Sequence, residues 1–422
     1  MKKIFFAILF VYLPLMIFSQ NLNGRFTSSF YTFERYNTAD NSETFIRTYQ
    51  ALNFNFNYNK VSLRTRFNFE SNISNSLDSD PRMRFYNLYL EARDIFDAIT
   101  LKLGRQPLFA PVAGGLFDGV NLKIKYAGFS LSGYYGGNVP AYQKLKLTND
   151  LGNDYILGGR FETTALENFS FGLSYIDKNF KPVDYYASRL DENLDLATIL
   201  IQSKSNQYKY LSADASYNYN SVVDVNTRYE YDLNFKETSK FELDGRIKAT
   251  GDLGLNLYYN FREPKIRYNS IFSVFNYGSS QEIEGGLDYH FTDLYTFFIK
   301  YGDVTFDKEH SSRITMGANT DFGSLNYRKT FGDAGELDAI SVYAAKSFAE
   351  GFITPSVGVT YTNYKLSQDD EINTLTAFMG GCNIRPWRTL SFDLQGQYFD
   401  NKIYKNDFRI LIKVNYLFNT NF

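Results

Sequence analysis

Phe408-Arg409-Ile410-Leu411-Ile412-Lys413-Val414-Asn415-Tyr416-Leu417-Phe418, close to the C-terminus, decides the fold class. Phe408, Ile410, Ile412, Val414, Tyr416 and Phe418 take every second position, and Arg409, Lys413 and Asn415 lie between them. A period of two puts successive side chains on opposite faces of a strand. One face here is apolar and the other carries charge. Working back along the chain, the pattern recurs. Ala51–Tyr58 sets Leu52, Phe54, Phe56 and Tyr58 against Asn53, Asn55 and Asn57, and Val61–Glu70 sets Val61, Leu63, Phe67 and Phe69 against Arg64, Arg66, Asn68 and Glu70. Phe241–Ala249, Leu255–Phe261 and Leu390–Tyr398 alternate in the same way.

A soluble sandwich and a transmembrane barrel share this pattern, and differ in what each face meets. In a sandwich the apolar face lies in a core; in a barrel it meets lipid and the polar face lines a lumen. Segment length favours the barrel, because many runs reach the length a tilted strand needs to cross a bilayer and exceed the ordinary globular strand. Aromatic rings at segment ends (Tyr58, Tyr126, Tyr259, Tyr398, Tyr416) suit an interfacial girdle. The expected fold is all-β: a single transmembrane antiparallel barrel. Short turns alternate with longer polar connections, and the even-number rule gives about 22 strands, within a range of about 18–24. That count treats Asp184–Leu190 and Ser270–Asn276 as loop, and Tyr219–Val222 and Thr250–Leu253 as turns on the periplasmic side.

Composition agrees. Among 422 residues there are 35 Tyr and 40 Phe, and aromatics reach 18%, while the mean hydropathy is only −0.33. Hydrophobic content of 44% argues against disorder, and a formal charge of −2 gives no basic footprint for nucleic acid. Met1-Lys2-Lys3 followed by the apolar Ile4–Phe18 and then Ser19-Gln20 has the layout of a secretory signal peptide. The expected division is therefore a signal at 1–20 and a barrel at 21–422. The strand pattern begins almost at once after the signal, which leaves no room for a plug domain ahead of the barrel. Cys382 is the single cysteine, and His290 and His310 are the two histidines. Neither histidine sits in a hydrolase-like constellation, and Cys382 beside Gly380-Gly381 reads as a packed strand residue. No catalytic, metal or cofactor residue is therefore assigned.

The sharpest local signal is Leu103-Gly104-Arg105-Gln106, leading through Pro107–Ala113 into Gly114-Gly115-Leu116-Phe117-Asp118-Gly119-Val120. A strand follows, with Asn121, Lys123 and Lys125 on its polar face. Gly104 interrupts the alternation and is a candidate bulge that turns Arg105 inward. This region resembles the LGRQ…DGV segment of bacterial outer-membrane porins, including the alginate-export and phosphate-selective porin-like groups. The resemblance implies residence in the bacterial outer membrane, contact with membrane lipid, and a water-filled channel passing small polar or anionic solutes. It also implies an inward-folded loop, here Gln106–Phe117. Because that loop is flanked by glycines and followed by a strand that points two lysines to its polar face, Arg105, Asp118, Lys123 and Lys125 are expected near the pore constriction. The closing strand with Phe422 resembles the C-terminal signal that barrel-assembly machinery reads. The alternative function is a structural or assembly barrel plugged by its own loops or gripping a periplasmic partner. For Arg105 and Asp118, the residues equally allow a pair that merely braces a loop. Other charges expected on the lumen face are Arg64, Arg66, Arg160, Arg228, Glu230, Glu242, Asp244, Arg246, Arg262, Lys300, Arg409 and Lys413. The oligomeric state and the solute are not legible from these residues.

Overall fold

The computed structural model describes residues 20–38, 41–74, 80–140, 145–181, 184–190, 196–202, 207–265, 278–333, 336–365, 371–402 and 407–422. Residues 1–19, most of the expected signal at 1–20, and the stretch 270–276 lie outside them. The first strands are β1 (Gln20–Thr38), β2 (Asn41–Tyr58), β3 (Val61–Asn72), β4 (Arg82–Ile95), β5 (Ile99–Leu108) and β6 (Gly115–Tyr126). Then come β7 (Phe129–Val139), β8 (Ile156–Leu166), β9 (Phe169–Lys178), β10 (Asp184–Leu190), β11 (Leu196–Gln202) and β12 (Tyr208–Tyr219). The third group is β13 (Val223–Asp232), β14 (Glu237–Lys248), β15 (Leu253–Arg262), β16 (Ser280–Thr292), β17 (Tyr295–Phe306) and β18 (Glu309–Thr320). The last are β19 (Gly323–Gly332), β20 (Glu336–Ala345), β21 (Ile353–Tyr364), β22 (Asn373–Trp387), β23 (Leu390–Asn401) and β24 (Asp407–Asn421).

Twenty-two of these form one sheet that closes on itself, because β24 pairs antiparallel with β1 as well as with β23. Neighbours in sequence are neighbours in the wall throughout, with one exception. β10 and β11 pair only with each other, so β9 continues directly to β12. The stretch 184–190 is thus a strand, but of a separate hairpin, and the barrel count stays at 22. Closure removes the open sheet edges that would leave backbone groups unsatisfied in lipid. At the seam, Gln20 and Phe422 exchange backbone hydrogen bonds of 2.9 and 3.4 Å.

The register settles which residues face where. Phe26 lies opposite Leu52 and Tyr416, while Thr27 lies opposite Ala51 and Asn415. The first set continues around the wall as an exposed apolar band that includes Leu90, Leu122, Ile124, Leu257, Ile299, Val342 and Ile412. An apolar surface running round the whole molecule far exceeds the patch a soluble monomer tolerates, and in a bilayer it lies against acyl chains. The chain is therefore a transmembrane barrel of the outer-membrane type. The turns at 59–60, 127–128 and 220–222 share the end of the barrel that carries Gln20 and Phe422.

Candidate functional site

Each lumen charge expected from alternation lies on the inner face. Arg64 and Arg66 pair with Asn55 and Asn53, Arg160 with Ser132, Arg228 with Asp214, and Lys300 with Gly286, all on the polar side of the ladder. Along β3 to β8 the inward charges are unequal. Arg64, Arg66, Arg82, Arg84, Arg93, Lys102, Lys123, Lys125 and Arg160 face Glu70, Glu91 and Glu162, the inward acids among the described residues of these strands. The few acids are shared. Glu91 lies 3.3 Å from Arg64, 3.6 Å from Lys102 and 3.6 Å from Arg93. Glu162 holds Arg160 at 2.6 Å and Lys123 at 3.2 Å, and Arg160 also makes a two-pronged contact with Asp214 at 2.7 and 2.9 Å. Lys125 forms no ion pair with a described residue. From β13 to β17 acids and bases are near balance and mostly paired, as in Arg246–Asp288 at 2.7 Å and Lys300–Glu284 at 3.1 Å.

The loop expected to fold inward does so, over a shorter span than 106–117. Gln106–Leu108 and Gly115–Phe117 remain paired in the β5–β6 ladder, which leaves 109–114 free. Val112 is 2% exposed and packs with Leu108 and Phe117 against the inward side chains Tyr134, Ile156, Ile176 and Tyr210 of β7, β8, β9 and β12. Two wall cations also hold the loop backbone. The Arg228 guanidinium donates to the Pro111 carbonyl, and the Lys178 ammonium donates to the carbonyls of Gly114 and Ala113 at 3.1 and 3.3 Å. The loop thus carries an apolar anchor and a polar latch, and Phe109 stays 90% exposed. Phe109, Ala110 and Pro111 bound a cavity of about 420 Å³ with Arg93, Lys102, Lys123, Lys125, Arg160, Glu91 and Glu162.

Of the four residues assigned to the constriction, Lys123 and Lys125 border this cavity, whereas Arg105 and Asp118 do not. This corrects the expected bulge at Gly104. The β5–β6 register runs unbroken through Gly104, and Arg105 stands opposite Asp118 on the face of Leu103 and Val120, the outer face. Gly104 takes φ +123°, where an added Cβ would meet the Leu88 carbonyl at 2.4 Å. Gly119, opposite it, has no room for one either, with the Tyr135 carbonyl at 2.2 Å. The Arg105–Asp118 pair is joined by two bonds of 2.7 Å, and Arg105 donates a third, also 2.7 Å, to the Lys146 carbonyl. Arg105 is 5% exposed. It braces the segment 145–154, which Thr148 fastens to the Asn138 carbonyl at 2.8 Å. Within that segment the Asn153 amide holds the Asp150 carboxyl below the usual carboxylate range.

The remaining singled-out residues fall apart in space. His290 bonds Thr296 at 2.9 Å beside Asp288 at one end of β17, and His310 of β18 contacts Asp303 at 3.0 Å near the other end of β17. Cys382 sits in β22 opposite Leu394 and Pro355.

No protein-family model matches the chain, and no curated protein does. Among solved structures it is similar to Pseudomonas aeruginosa OpdK with vanillate, at 12% identity over 95% of this chain and 99% of that one, with a TM-score of 0.43. It is similar also to Acinetobacter baumannii OccAB1, at 8% identity over 95% and 96% with a TM-score of 0.45. A third is the translocation pore of the P pilus usher PapC, at 9% identity over 94% and 99% with a TM-score of 0.44.

Proposed function

We propose that the barrel is a passive diffusion channel of the bacterial outer membrane for small polar or anionic solutes. The observation that carries this reading is the excess of inward cations along β3–β8, bordering the cavity beneath the inward loop. Charges of one sign beside low-dielectric walls concentrate counter-ions and bias which ion passes. Lys123 is shared with Glu162, but Lys125 forms no ion pair with a described residue and stands open to a passing anion. We take Lys123 and Lys125 as the charges near the narrowest section, with Phe109 opposite them on the loop. Arg105 and Asp118 leave this set and support it from outside the wall. Residues 1–20 serve as the export signal in this reading, and the closing strand as the feature that assembly machinery recognises. Single-channel recording in planar bilayers tests the function directly. Discrete conductance with a reversal potential on the anion side is the expected result. A protein that inserts and passes no ion current refutes the channel and favours a plugged barrel.

A further inference from the structure

The polar latch of the inward loop rests on a carboxylate that water does not reach. Glu230, on the inner face of β13, is fully buried and pairs with two cations. Arg228, two residues earlier on the same face, turns one nitrogen, Nη2, both to the Glu230 carboxylate and to the Pro111 carbonyl of the loop. Lys265, just past the end of β15, places its ammonium 2.7 Å from the other Glu230 oxygen. The same ammonium lies 6.0 Å from the centre of the Tyr210 ring, part of the apolar seat that receives Val112. We propose that Glu230 is the positioning residue of the inward loop: anchored by Lys265, it fixes Arg228 where the guanidinium can hold Pro111.

The neighbouring charges leave this role to Glu230. Asp214 stands opposite Arg228 in the β12–β13 register, but its two oxygens are held by Arg160 at 2.7 and 2.9 Å. Lys240 stands opposite Glu230 on β14, but its ammonium lies 2.5 Å from Glu242. Asp232, next on the inner face of β13, accepts the backbone amides of Asn234 and Phe235 at 2.8 and 3.1 Å and so closes its own turn. A guanidinium carries its donors on a rigid planar fork, and a carboxylate beside one nitrogen fixes where the fork points. Here the fixed nitrogen is the one the loop uses. A charge removed from water is stable only beside partners of opposite sign, and neutralising it leaves two cations facing each other across an uncharged side chain. The Arg228 side chain is 29% exposed. Once released it turns to the wet lumen, and the loop loses its Pro111 contact. The loop bounds the cavity beside Lys123 and Lys125 through Phe109, Ala110 and Pro111. The effect on solute passage therefore rests on the proposed channel function, whereas the placement of the loop does not.

The test uses the full barrel purified in detergent, with Ala110→Cys in a Cys382→Ala background as a reporter on the packed side of the loop. The rate at which a charged methanethiosulfonate modifies that thiol measures how often the loop leaves its seat, and it needs no ion current. Glu230→Gln should raise the rate about tenfold or more, because it strips one partner from a buried pair. Glu230→Asp, which keeps the charge but withdraws it by one methylene, should give a smaller rise. In an Arg228→Met background Glu230→Gln should add little, since the contact through which it acts is already gone. Heat-modifiable gel mobility confirms folding, and if Glu230→Gln does not assemble, Glu230→Asp carries the same comparison with and without Arg228. A folded Glu230 variant modified at the parent rate overturns the proposal. So does an equal rise with Arg228 absent, the mark of a general loosening of the wall. Single-channel recording of the same variants separates the two readings: faster modification in a barrel that passes no ions removes the channel and keeps the positioning role.

Discussion

Replacing Val112 by serine should release the inward loop, and the structure gives the size of the effect. Val112 is 2% exposed, among Leu108, Phe117, Tyr134, Ile156, Ile176 and Tyr210. Losing that burial costs about 2 kcal/mol. Placing a hydroxyl in the same apolar cluster costs about 1–3 kcal/mol more. Against this stands the latch, two cations donating to three carbonyls at the edge of a wet lumen. Each such bond contributes about 1–2 kcal/mol net, less where water competes. Val112→Ser therefore removes roughly half of what holds the loop, shifting its open population by about 100-fold or more. The expected outcome in planar bilayers is a larger mean conductance with added open-channel noise as the loop exchanges. A thiol on the face that packs against the cluster, Ala110→Cys in a Cys382→Ala background, should report the change independently by slower modification in the parent than in the serine variant. Adding Lys178→Met should enlarge both effects. Unaltered conductance, noise and thiol reactivity in Val112→Ser would mean that the cluster neither holds the loop nor bounds the path, and the reasoning fails.

Neutralising Lys123 and Lys125 together to glutamine should move the reversal potential towards cations in a salt gradient without affecting assembly; no shift would place both away from the narrowest section. Arg105→Ala should leave selectivity alone and lower the thermal stability of the folded barrel, since stripping one partner from a buried ion pair costs about 3–5 kcal/mol; a selectivity change with unaltered melting would reverse the assignment. Removing residues 419–422 takes away the Asn421–Asn21 pairing and the Phe422–Gln20 backbone bonds that complete the seam, so folding into liposomes should slow, and an unchanged insertion rate would show that closure does not depend on them.

Much of this architecture is legible before any coordinate is seen, for a simple reason. With a period of two, the face of a strand residue depends only on its parity, and lipid outside and water inside make the two faces chemically opposite. Arg64, Arg160, Arg228 and Lys300 could be placed in the lumen on that basis alone. Parity says nothing, however, about what lies over a face beyond the membrane. Arg105 shares the parity of Leu103, and Gly104 before it, which interrupts the alternation, reads as a candidate bulge that turns the charge inward. The actual solution is a loop segment, 145–154, that covers Arg105 at the strand ends and gives it Asp118 and a carbonyl. The separate β10–β11 hairpin is hidden for a related reason, because alternation over seven residues reads the same in a barrel wall and in a loop that pairs with itself.

The seat of the inward loop leaves a trace of its own in the sequence. Along most inward positions a water-filled lumen asks for polar side chains, so two adjacent apolar residues break the rule at one of them. Such pairs occur at the same level of four adjoining strands: Tyr134-Tyr135, Ile156-Leu157, Tyr175-Ile176 and Tyr210-Leu211. One member of each, Tyr135, Leu157, Tyr175 and Leu211, continues the outer face. The other, Tyr134, Ile156, Ile176 and Tyr210, faces inward, where exposure to water would cost about 1.5–3 kcal/mol for each side chain that could otherwise be buried. A single such residue is ordinary, but four aligned across neighbouring strands make a continuous apolar patch inside the pore. That patch is stable only when something apolar covers it, and the loop that brings Leu108, Val112 and Phe117 is what does so. The tyrosines complete the argument, since the Tyr134 hydroxyl reaches the Tyr175 carbonyl at 3.3 Å and so keeps its polar end satisfied under the loop. Inward apolar residues that line up across a barrel wall therefore mark where a loop docks, which a glycine-rich connection alone does not say.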